Sequence, residues 1–395
     1  MNVSLLARDI AHVAKWRPVD PVVTWRRIDD RAVRYTTTLD DESEDFEREL
    51  LMQSIVPCHE GIGHGGTLTS ERGKVELPLQ QRHAWLRHTD QELRLLQVRD
   101  PSGRPAMQAV VHVYRPRYLP WLGHGVVHRL GHATNGVEEH WGLRMLRALC
   151  AEGGELITLR LQPRRLGVHA LCDVESRARR AGFRLTDPDG ITRTLLLNLC
   201  ESSDALMTTV SAGTRRKVRS LGRSGFVLRP LLDTRAVDAC LAAALAAARR
   251  HGRHDTRTPV APILALAPTE PTRVRALGLF HRDRPDALLA FAAAQRDGEI
   301  AEYLAAGSID DPELRKHPYN YWLLWELASW ARANGARHLD LGGISEGGPD
   351  DPLEGITSFK RHFTQNEVEV GRELVAVLHP AVEAVSRALR RIARD

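Results

Sequence analysis

Several basic residues of this sequence recur at helical spacing and could bind phosphate groups. Arg215, Arg219 and Arg223 are four residues apart, so a helix would place them on one face. Arg216 and Lys217 would widen this basic stripe. Guanidinium groups bind phosphate oxygens in a bidentate manner, which predicts substrate contacts for Arg215, Arg216 and Arg219. The alternative is a solvated helix face that binds nothing.

Two further polar side chains lie near the ends of predicted strands and could handle protons. The hydroxyl of Tyr303 could bind a substrate or donate a proton, although a strand tyrosine with a buried ring and a solvated hydroxyl is an equal alternative. Asp340 could orient an amine or accept its proton. It could equally cap the turn at Gly342-Gly343, because a short carboxylate accepts hydrogen bonds from nearby backbone N–H groups.

Three histidines, His124, His128 and His132, are also four residues apart, and a helix would align them as metal ligands. Gly125 and Gly131 lie among them, however, and glycine disfavours a helix. No motif with an established spacing of metal ligands is present, so the sequence predicts no metal site.

The second half of the chain has an ordered series of predicted elements. A helix capped at Ser203-Asp204 ends before Gly225, and Asp233 opens a second helix. Apolar runs joined by two turns predict an antiparallel meander of three strands, at 272–281, 286–295 and 299–305. The elements that follow are a helix at 319–334, a strand at 337–341, a short helix at 355–363 and a strand at 367–378. This is the order of elements in an acetyltransferase-like (GNAT) domain.

The first half repeats part of this order, with predicted strands at 107–114 and 156–161 and helices at 138–151 and 170–181. The repetition predicts an α/β (α+β) chain of two tandem GNAT-like domains, each a mixed sheet flanked by helices. We place the first domain at 1–190, as a divergent half suited to acceptor recognition, and the second at 191–378. Residues 379–395 are expected to form a basic amphipathic helix.

The segment from Tyr303 to Phe363 resembles the FemABX family of aminoacyltransferases. The similarity is carried by Tyr303–Ser308, by the stretch His338–Gly343 and by Gly355–Phe363, which contains a Phe-Lys pair. It extends to the basic helix at 215–225, is weaker over 119–199 and is absent over about the first 80 residues. Members of this family use aminoacyl-tRNA and have two GNAT-like domains, so the resemblance implies this fold and this activity.

The resemblance also implies roles for particular residues. Lys360 of the Phe-Lys pair would stabilise the oxyanion that forms when an amine attacks an ester, an effect worth roughly 3–4 kcal/mol. Phe359 would hold the lysine stem and exclude water, unless Lys360 is instead an exposed lysine of a short helix. Arg257 is a candidate for a substrate phosphate and Ser308 for substrate binding. A tyrosine that often follows such an arginine is replaced by Ala261.

The sequence lacks the pyrophosphate-binding loop of acyl-CoA-dependent GNAT domains, since the nearest stretch, 164–169, ends in His169. We therefore expect no bound cofactor, with aminoacyl-tRNA as the co-substrate. The leading hypothesis is transfer of an amino acid to a primary amine of a cell-wall (peptidoglycan) precursor or a secondary metabolite. The alternatives are an N-acyltransferase using acyl-CoA or an acyl carrier protein, and an inactive GNAT-like module that only binds RNA or a partner.

Bulk composition predicts a cytoplasmic protein without an integral membrane segment. The 395 residues carry a net charge of +5, and no apolar run approaches the roughly 18 residues of a spanning helix. The five cysteines are far apart and form no CxxC pair, which argues against a disulfide framework. The basic balance favours phosphate-rich partners without identifying one.

Overall fold

The computed structural model describes residues 26–53, 77–89, 91–116, 120–129, 136–163, 168–186, 192–221, 225–250, 252, 258–345, 351 and 353–392. The described strands are β1 (Arg26–Ile28), β2 (Arg31–Thr36), β3 (Glu92–Arg99), β4 (Pro105–Tyr114), β5 (Gly123–His128), β6 (Leu156–Gln162), β7 (Arg184–Leu185), β8 (Arg193–Asn198), β9 (Phe226–Pro230), β10 (Val274–His281), β11 (Ala290–Asp297), β12 (Ile300–Ser308), β13 (His338–Gly343), β14 (Glu367–Glu369) and β15 (Leu374–Val377).

The described α-helices are α1 (Asp41–Gln53), α2 (His83–Leu86), α3 (Gly136–Glu152), α4 (Val168–Arg180), α5 (Ser203–Thr209), α6 (Ala212–Leu221), α7 (Val237–Arg250), α8 (Val260–Leu266), α9 (Pro312–Arg315), α10 (Tyr319–Ala333), α11 (Glu354–Arg361) and α12 (Pro380–Ile392). The chain divides into two compact units. The first comprises Met1–His83, Asp90–Gly190 and Val370–Asp395, and the second comprises Ala84–Thr89 and Ile191–Glu369.

The first unit is built on a mixed sheet with the strand order β1-β2-β3-β4-β5-β6-β15-β7. Strands β5 and β6 are parallel, and the other neighbours are antiparallel. Strand β4 is buried along nearly its whole length, as expected for a strand covered on both faces. Gly142 lets α3 approach β4 closely, because a Cβ there would lie 2.0 Å from the sulfur of Met107.

The second unit is built on a mixed sheet with the order β14-β8-β13-β12-β11-β10-β9. The predicted meander is confirmed: β10, β11 and β12 are successive antiparallel neighbours, and Gly298 has a φ of 60° in the turn between β11 and β12. Helix α10 lies between β12 and β13 in the chain, and β13 pairs parallel to β12. The apolar face of α10, with Leu324 and Ala328, packs on Leu339 and Leu341 of β13.

Both units are thus mixed sheets flanked by helices, and the predicted fold class of two tandem GNAT-like domains is confirmed. In the first unit, the strands predicted at 107–114 and 156–161 correspond to β4 and β6. The helices predicted there correspond to α3 and α4.

The prediction of one strand over 367–378 was wrong, because this segment contains two strands in different sheets. Strand β14 pairs with β8 in the second unit, whereas β15 lies between β6 and β7 in the first. The second unit therefore ends at Glu369 rather than near residue 378. Helix α12 also belongs to the first unit, where Val382 packs against Leu122 and Ile157.

The prediction of one continuous helix from Ser203 to Leu221 was also wrong. Ser202 caps α5, which ends at Val210 with an extended ψ of 155°, and α6 starts at Ala212. The sequence pattern missed this break because Val210 is buried on the same face as the helical residues around it. The side chain of Ser211 marks the new start by accepting a hydrogen bond from the Thr214 N–H at 3.2 Å.

None of the described helices is both long enough and apolar enough to cross a membrane. Four cysteines within the described residues, Cys150, Cys172, Cys200 and Cys240, are free thiols. Cys58 lies outside those residues.

Candidate functional site

The candidate catalytic lysine is buried near the end of strand β13. Lys360 is in the last turn of α11, and 7% of its surface is exposed. Its Nζ donates a 2.6 Å hydrogen bond to the carbonyl oxygen of Gly343. A Cβ at Gly342 would lie 3.5 Å from this Nζ and 3.5 Å from the carbonyl oxygen of Tyr303. Lys360 is therefore not the exposed lysine of the alternative interpretation.

Helix α11 is held at this place by Thr357, which is buried one turn before the lysine. The Thr357 hydroxyl accepts a hydrogen bond from the Ser345 N–H at 3.1 Å and lies 2.9 Å from the Ser345 hydroxyl. The chain that leaves β13 is thereby attached to the helix that carries Lys360. These contacts fix the direction of the lysine stem.

Phe359 belongs to an aromatic cluster made by α10 and α11, which we define as Tyr321, Phe359 and Phe363. The ring of Tyr321 meets Phe359 edge-on at 4.9 Å and stacks on Phe363 at 5.7 Å. Lys217 of α6 places its Nζ 4.0 Å from the centroid of the Tyr321 ring, within the range of a cation–π contact. Phe359 therefore belongs to an apolar cluster, and its role in holding the lysine stem stays a prediction.

Asp340 performs the turn-capping role that was one of its two predicted roles. Its Oδ1 accepts a 2.7 Å hydrogen bond from the N–H of Gly342 and a second hydrogen bond from the Thr194 hydroxyl. Gly342 has a φ of 76°, which favours glycine in this tight turn. The carboxylate consequently shapes the backbone against which Lys360 lies, and its role as a proton acceptor stays a prediction.

Tyr303 lies in β12 next to a β-bulge, since Ala293 pairs with Ala305 and Ala294 with Tyr303. Bulges are common next to active sites because they redirect side chains. The ring packs against both apolar clusters of the second unit. Burial raises the pKa of the Tyr303 hydroxyl above its ordinary value, and the nearby Tyr319 raises it further. The hydroxyl is therefore protonated near neutral pH and can donate a hydrogen bond.

Ser308, a predicted substrate contact, lies at the other end of β12, five residues beyond Tyr303. Five strand residues span about 16 Å along the backbone. The Ser308 hydroxyl is buried and accepts hydrogen bonds from Arg250 at 2.6 Å and from Tyr319 at 2.7 Å. Arg250 also donates to the Ser308 carbonyl oxygen. The hydroxyl joins α7 and α10 to the strand, and its substrate contact stays a prediction.

The predicted phosphate-binding arginines have different settings. The guanidinium of Arg215 caps the end of α5, donating to the carbonyl oxygens of Thr208 at 2.9 Å and Val210 at 2.8 Å. Arg216 and Arg219 are exposed on α6. Arg223 and Arg257 lie outside the described residues. Arg216 and Arg219 are therefore the described members of the predicted set that face solvent.

Two of the histidines considered as metal ligands lie on a strand rather than a helix. His124 and His128 of β5 face β6, with Nδ1 of His124 2.8 Å from the Thr158 hydroxyl and Nδ1 of His128 2.7 Å from Oε1 of Gln162. His132 lies outside the described residues. Among the described side chains there is no group of three or more histidine, cysteine, aspartate or glutamate residues arranged to hold a metal ion.

A second polar constellation, Ser43, His83 and Glu47, has the atomic order of a hydrolase triad. The Ser43 hydroxyl lies 2.6 Å from Nε2 of His83, whose Nδ1 lies 2.5 Å from Glu47. All three side chains are buried, and Ser43 is 0% exposed. The Ser43 hydroxyl also donates to the Asp40 carbonyl oxygen at 2.8 Å, which closes the first turn of α1. This cluster ties α1 to the segment at His83 and offers no access to a substrate.

The residues that sequence reasoning missed are Tyr321, Phe363, Thr357 and Arg250. Tyr321 precedes Leu324 and Ala328 by three and seven residues, a helical spacing that agrees with its packing against the same apolar cluster. Nothing in the spacing of Thr357 or Arg250 distinguishes them from neighbouring polar residues, because their partners are distant in sequence.

Comparisons with known proteins support the architecture. Residues 209–361 match the family model described as the acetyltransferase (GNAT) domain. The solved structure titled "Crystal structure of FemX" is 13% identical, with a TM-score of 0.61, and the similarity covers 89% of this chain and 99% of that one. The predicted resemblance to the FemABX family is thereby confirmed at the level of the fold.

Two further solved structures are similar over much of the chain. A tandem GNAT protein from the clavulanic acid biosynthesis pathway is 13% identical, with a TM-score of 0.48, and the similarity covers 88% of this chain and 98% of that one. L-PGS from Bacillus licheniformis is 10% identical, with a TM-score of 0.44, and the similarity covers 68% of this chain and 80% of that one. These TM-scores are too low to establish a shared fold by themselves. No curated protein matched the sequence.

Proposed function

We propose, with the FemX-like fold as the premise, that this chain is an acyltransferase that moves an amino acid from aminoacyl-tRNA to a primary amine. The observation that carries the proposal is the buried ammonium of Lys360, held against the glycine turn that ends β13. The product would be an amide or peptide bond, and the tRNA would be released with a free terminal hydroxyl.

The chemistry assigned to Lys360 is electrostatic. The amine nitrogen attacks the ester carbonyl, and the carbonyl oxygen becomes an oxyanion in a tetrahedral intermediate. The carbon–oxygen bond to tRNA then breaks, and the amine proton passes to the leaving oxygen. The hydrogen bond to Gly343 orients the lysine ammonium, and we assign to this cation the electrostatic stabilisation of the oxyanion.

The cation is effective because water is largely excluded from it. Electrostatic interactions are stronger in a medium of low dielectric constant than in water. Phe359, the residue before Lys360, and Tyr321 have their rings 4.9 Å apart and offer an apolar surface on α10 and α11. We assign to them the exclusion of water from the reacting carbonyl.

Tyr303 is assigned a hydrogen-bonding role rather than that of a general acid. Its raised pKa makes proton release to a substrate less favourable, yet leaves the hydroxyl available as a donor at neutral pH. Asp340 is assigned the positioning of the Gly342 turn through its 2.7 Å hydrogen bond.

The choice of tRNA as donor is supported by the basic surface of α6. Arg216 and Arg219 are exposed there, and arginine is well suited to phosphate oxygens. The ester of aminoacyl-tRNA is already activated, so positioning and oxyanion stabilisation suffice without a bound cofactor. The acceptor would be an amine of a peptidoglycan-type precursor or of a secondary metabolite.

A second candidate is an N-acyltransferase that uses acyl-CoA or an acyl carrier protein. It is favoured by the match of residues 209–361 to the acetyltransferase (GNAT) domain. Both candidates need the oxyanion stabilised, so Lys360 does not distinguish them. A module that binds RNA or a partner without turnover is the third candidate.

Mass spectrometry of products would separate these candidates. The full chain would be incubated with a panel of candidate amines and either a mixture of charged tRNAs or a mixture of acyl-CoA thioesters. Amide product formed with charged tRNA alone supports the proposal. Product formed only with the thioesters favours the second candidate, and tRNA binding without product favours the third.

A further inference from the structure

The first unit contains a cavity whose chemistry is unlike that of the Lys360 site. Its volume is about 430 Å³, which is within the range of small-molecule sites. Arg144 and Arg147 of α3 and Arg180 of α4 contribute three guanidinium-bearing side chains to its lining. Its other lining residues include Ala148, Ala181 and Gly182.

These arginines lack the acidic partners that Arg177, in the same helix as Arg180, has. Within the described residues, Arg177 of α4 pairs with Glu139 and Asp173. By contrast, Arg144 and Arg147 have no ion pair in that part of the chain, and Arg180 donates only to the Ser176 hydroxyl, at 2.7 Å. Three like charges thus surround one cavity without a neutralising carboxylate among the residues that line it.

The small residues of the lining keep the cavity open and set the position of one guanidinium. A Cβ at Gly182 would lie 2.4 Å from Nη1 of Arg147 and 2.9 Å from its Cζ. Gly182 also has a φ of 89°, a conformation that disfavours other residues. The Arg147 side chain therefore lies over Gly182 in a space that any larger residue would fill.

We propose that this cavity binds the diphosphate group of a small phosphorylated molecule. Guanidinium groups match phosphate oxygens in charge and in bidentate geometry. A single terminal phosphate carries a charge of roughly −1.5 to −2 at neutral pH, which is less than the three arginines can balance. A diphosphate is the small group that fits this excess of positive charge. The inference goes beyond the proposed acyl transfer and does not depend on it.

Calorimetric titration of the full chain with inorganic pyrophosphate tests the proposal, with inorganic phosphate and ADP as further probes. We expect saturable, salt-sensitive binding of pyrophosphate, tighter than that of inorganic phosphate. Arg180→Gln should weaken it about tenfold or more, because a charge-assisted hydrogen bond is lost. Ala148→Glu, on an exposed position of α3, should do the same by placing a carboxylate in the lining.

Arg179→Gln is the matched control, since Arg179 is exposed in the same last turn of α4 but does not line the cavity. Thermal melts would show that the variants remain folded. Absence of pyrophosphate binding would overturn the proposal, as would equal losses for Arg179→Gln and Arg180→Gln. Binding of an RNA hairpin that depends on Arg180, without binding of pyrophosphate, would assign the cavity to nucleic acid and also overturn it.

Discussion

Lys360 and Gly343 are joined by a hydrogen bond of 2.6 Å from the ammonium to the carbonyl oxygen, which connects α11 to the last residue of β13. The direction of this carbonyl depends on the turn at Gly342, whose N–H is held by Asp340. The position of the cation is therefore set by the strand end as well as by its own helix. A substitution in the turn should therefore shift the position of the Lys360 ammonium, although the lysine itself is unchanged.

The first prediction concerns the charge of Lys360. Lys360→Met keeps the length and the apolar stem but removes the ammonium, so we expect kcat for amide formation to fall about 100-fold or more. The free energy of unfolding should fall by about 1–3 kcal/mol without loss of the fold, because the Gly343 carbonyl oxygen loses this donor. Steady-state kinetics and urea denaturation measure the two quantities.

The control for this prediction is Lys316→Met, which removes an exposed lysine of the same unit. Its kcat should equal that of the unaltered protein. Near-normal turnover in Lys360→Met would remove Lys360 from the mechanism, whereas equal losses in both variants would indicate a general effect of net charge.

The second prediction distinguishes the structural role of Arg215 from the proposed tRNA-binding role of Arg216 and Arg219. Arg215→Gln should lower the free energy of unfolding by about 1 kcal/mol, because the carbonyl oxygens of Thr208 and Val210 lose their donor. Arg216→Gln and Arg219→Gln should leave stability unchanged but weaken tRNA binding. Each should also reduce the slope of log affinity against log salt concentration by about one.

Filter binding over a range of salt concentrations measures this slope. The assignment of α6 to tRNA would be wrong if neither Arg216→Gln nor Arg219→Gln altered affinity or slope. A loss of binding confined to Arg215→Gln would instead point to a structural effect at the end of α5.

The third prediction concerns stability at acid pH. His112 is buried, and burial together with a smaller effect of the nearby His128 charge lowers its pKa to about 3. Its Nδ1 lies 2.5 Å from Oε1 of Gln91, and its Nε2 has no hydrogen-bond partner among the described residues. The native state therefore resists protonation of this ring, whereas the unfolded chain takes up the proton near pH 6.5.

Because the folded pKa is the lower one, this contribution to stability is present above pH 6.5 and is lost as the pH falls towards 3. We expect His112→Gln to remove about 2 kcal/mol of the decrease in unfolding free energy between pH 7.5 and 5. Urea denaturation at both pH values measures the unfolding free energy. His88→Gln, which replaces an exposed histidine, is the control. An unchanged pH dependence in His112→Gln would refute this account.

The fourth prediction concerns packing of α7 on β12. A Cβ at Gly307 would lie 2.6 Å from the backbone nitrogen of Ala244 and 2.7 Å from the carbonyl carbon of Ala243. Helix backbone cannot yield as a side chain can, so Gly307→Ala should lower the free energy of unfolding by about 1–3 kcal/mol.

The matched control is Gly355→Ala in α11, where a Cβ would meet nothing within 4 Å. This substitution should raise stability by up to about 1 kcal/mol, because alanine favours helix more than glycine does. Thermal or urea melts compare the two variants. Equal stability of the two would show that α7 and β12 separate more readily than their contact implies.

Much of the second unit could be predicted because its elements depend on neighbouring residues. The meander followed from apolar runs separated by turn residues, and the helix predicted at 319–334 corresponds to α10, after which Gly335 has a φ of 89°. The first 100 residues were not assigned, although β2 and β3 lie there. Their strands gain stability from pairing with partners elsewhere in the chain, which a local pattern does not reveal.

The sequence by itself determined the order of most elements of the second unit and the presence of the Phe359-Lys360 pair. Only the tertiary structure decided that β15 joins the first sheet, that Arg215 caps α5, and that Lys360 is buried at the end of β13. The physical reason is the distance along the chain over which each feature acts. Periodicity and capping involve residues a few positions apart, whereas sheet membership, burial and hydrogen-bond partners depend on segments that meet only after folding.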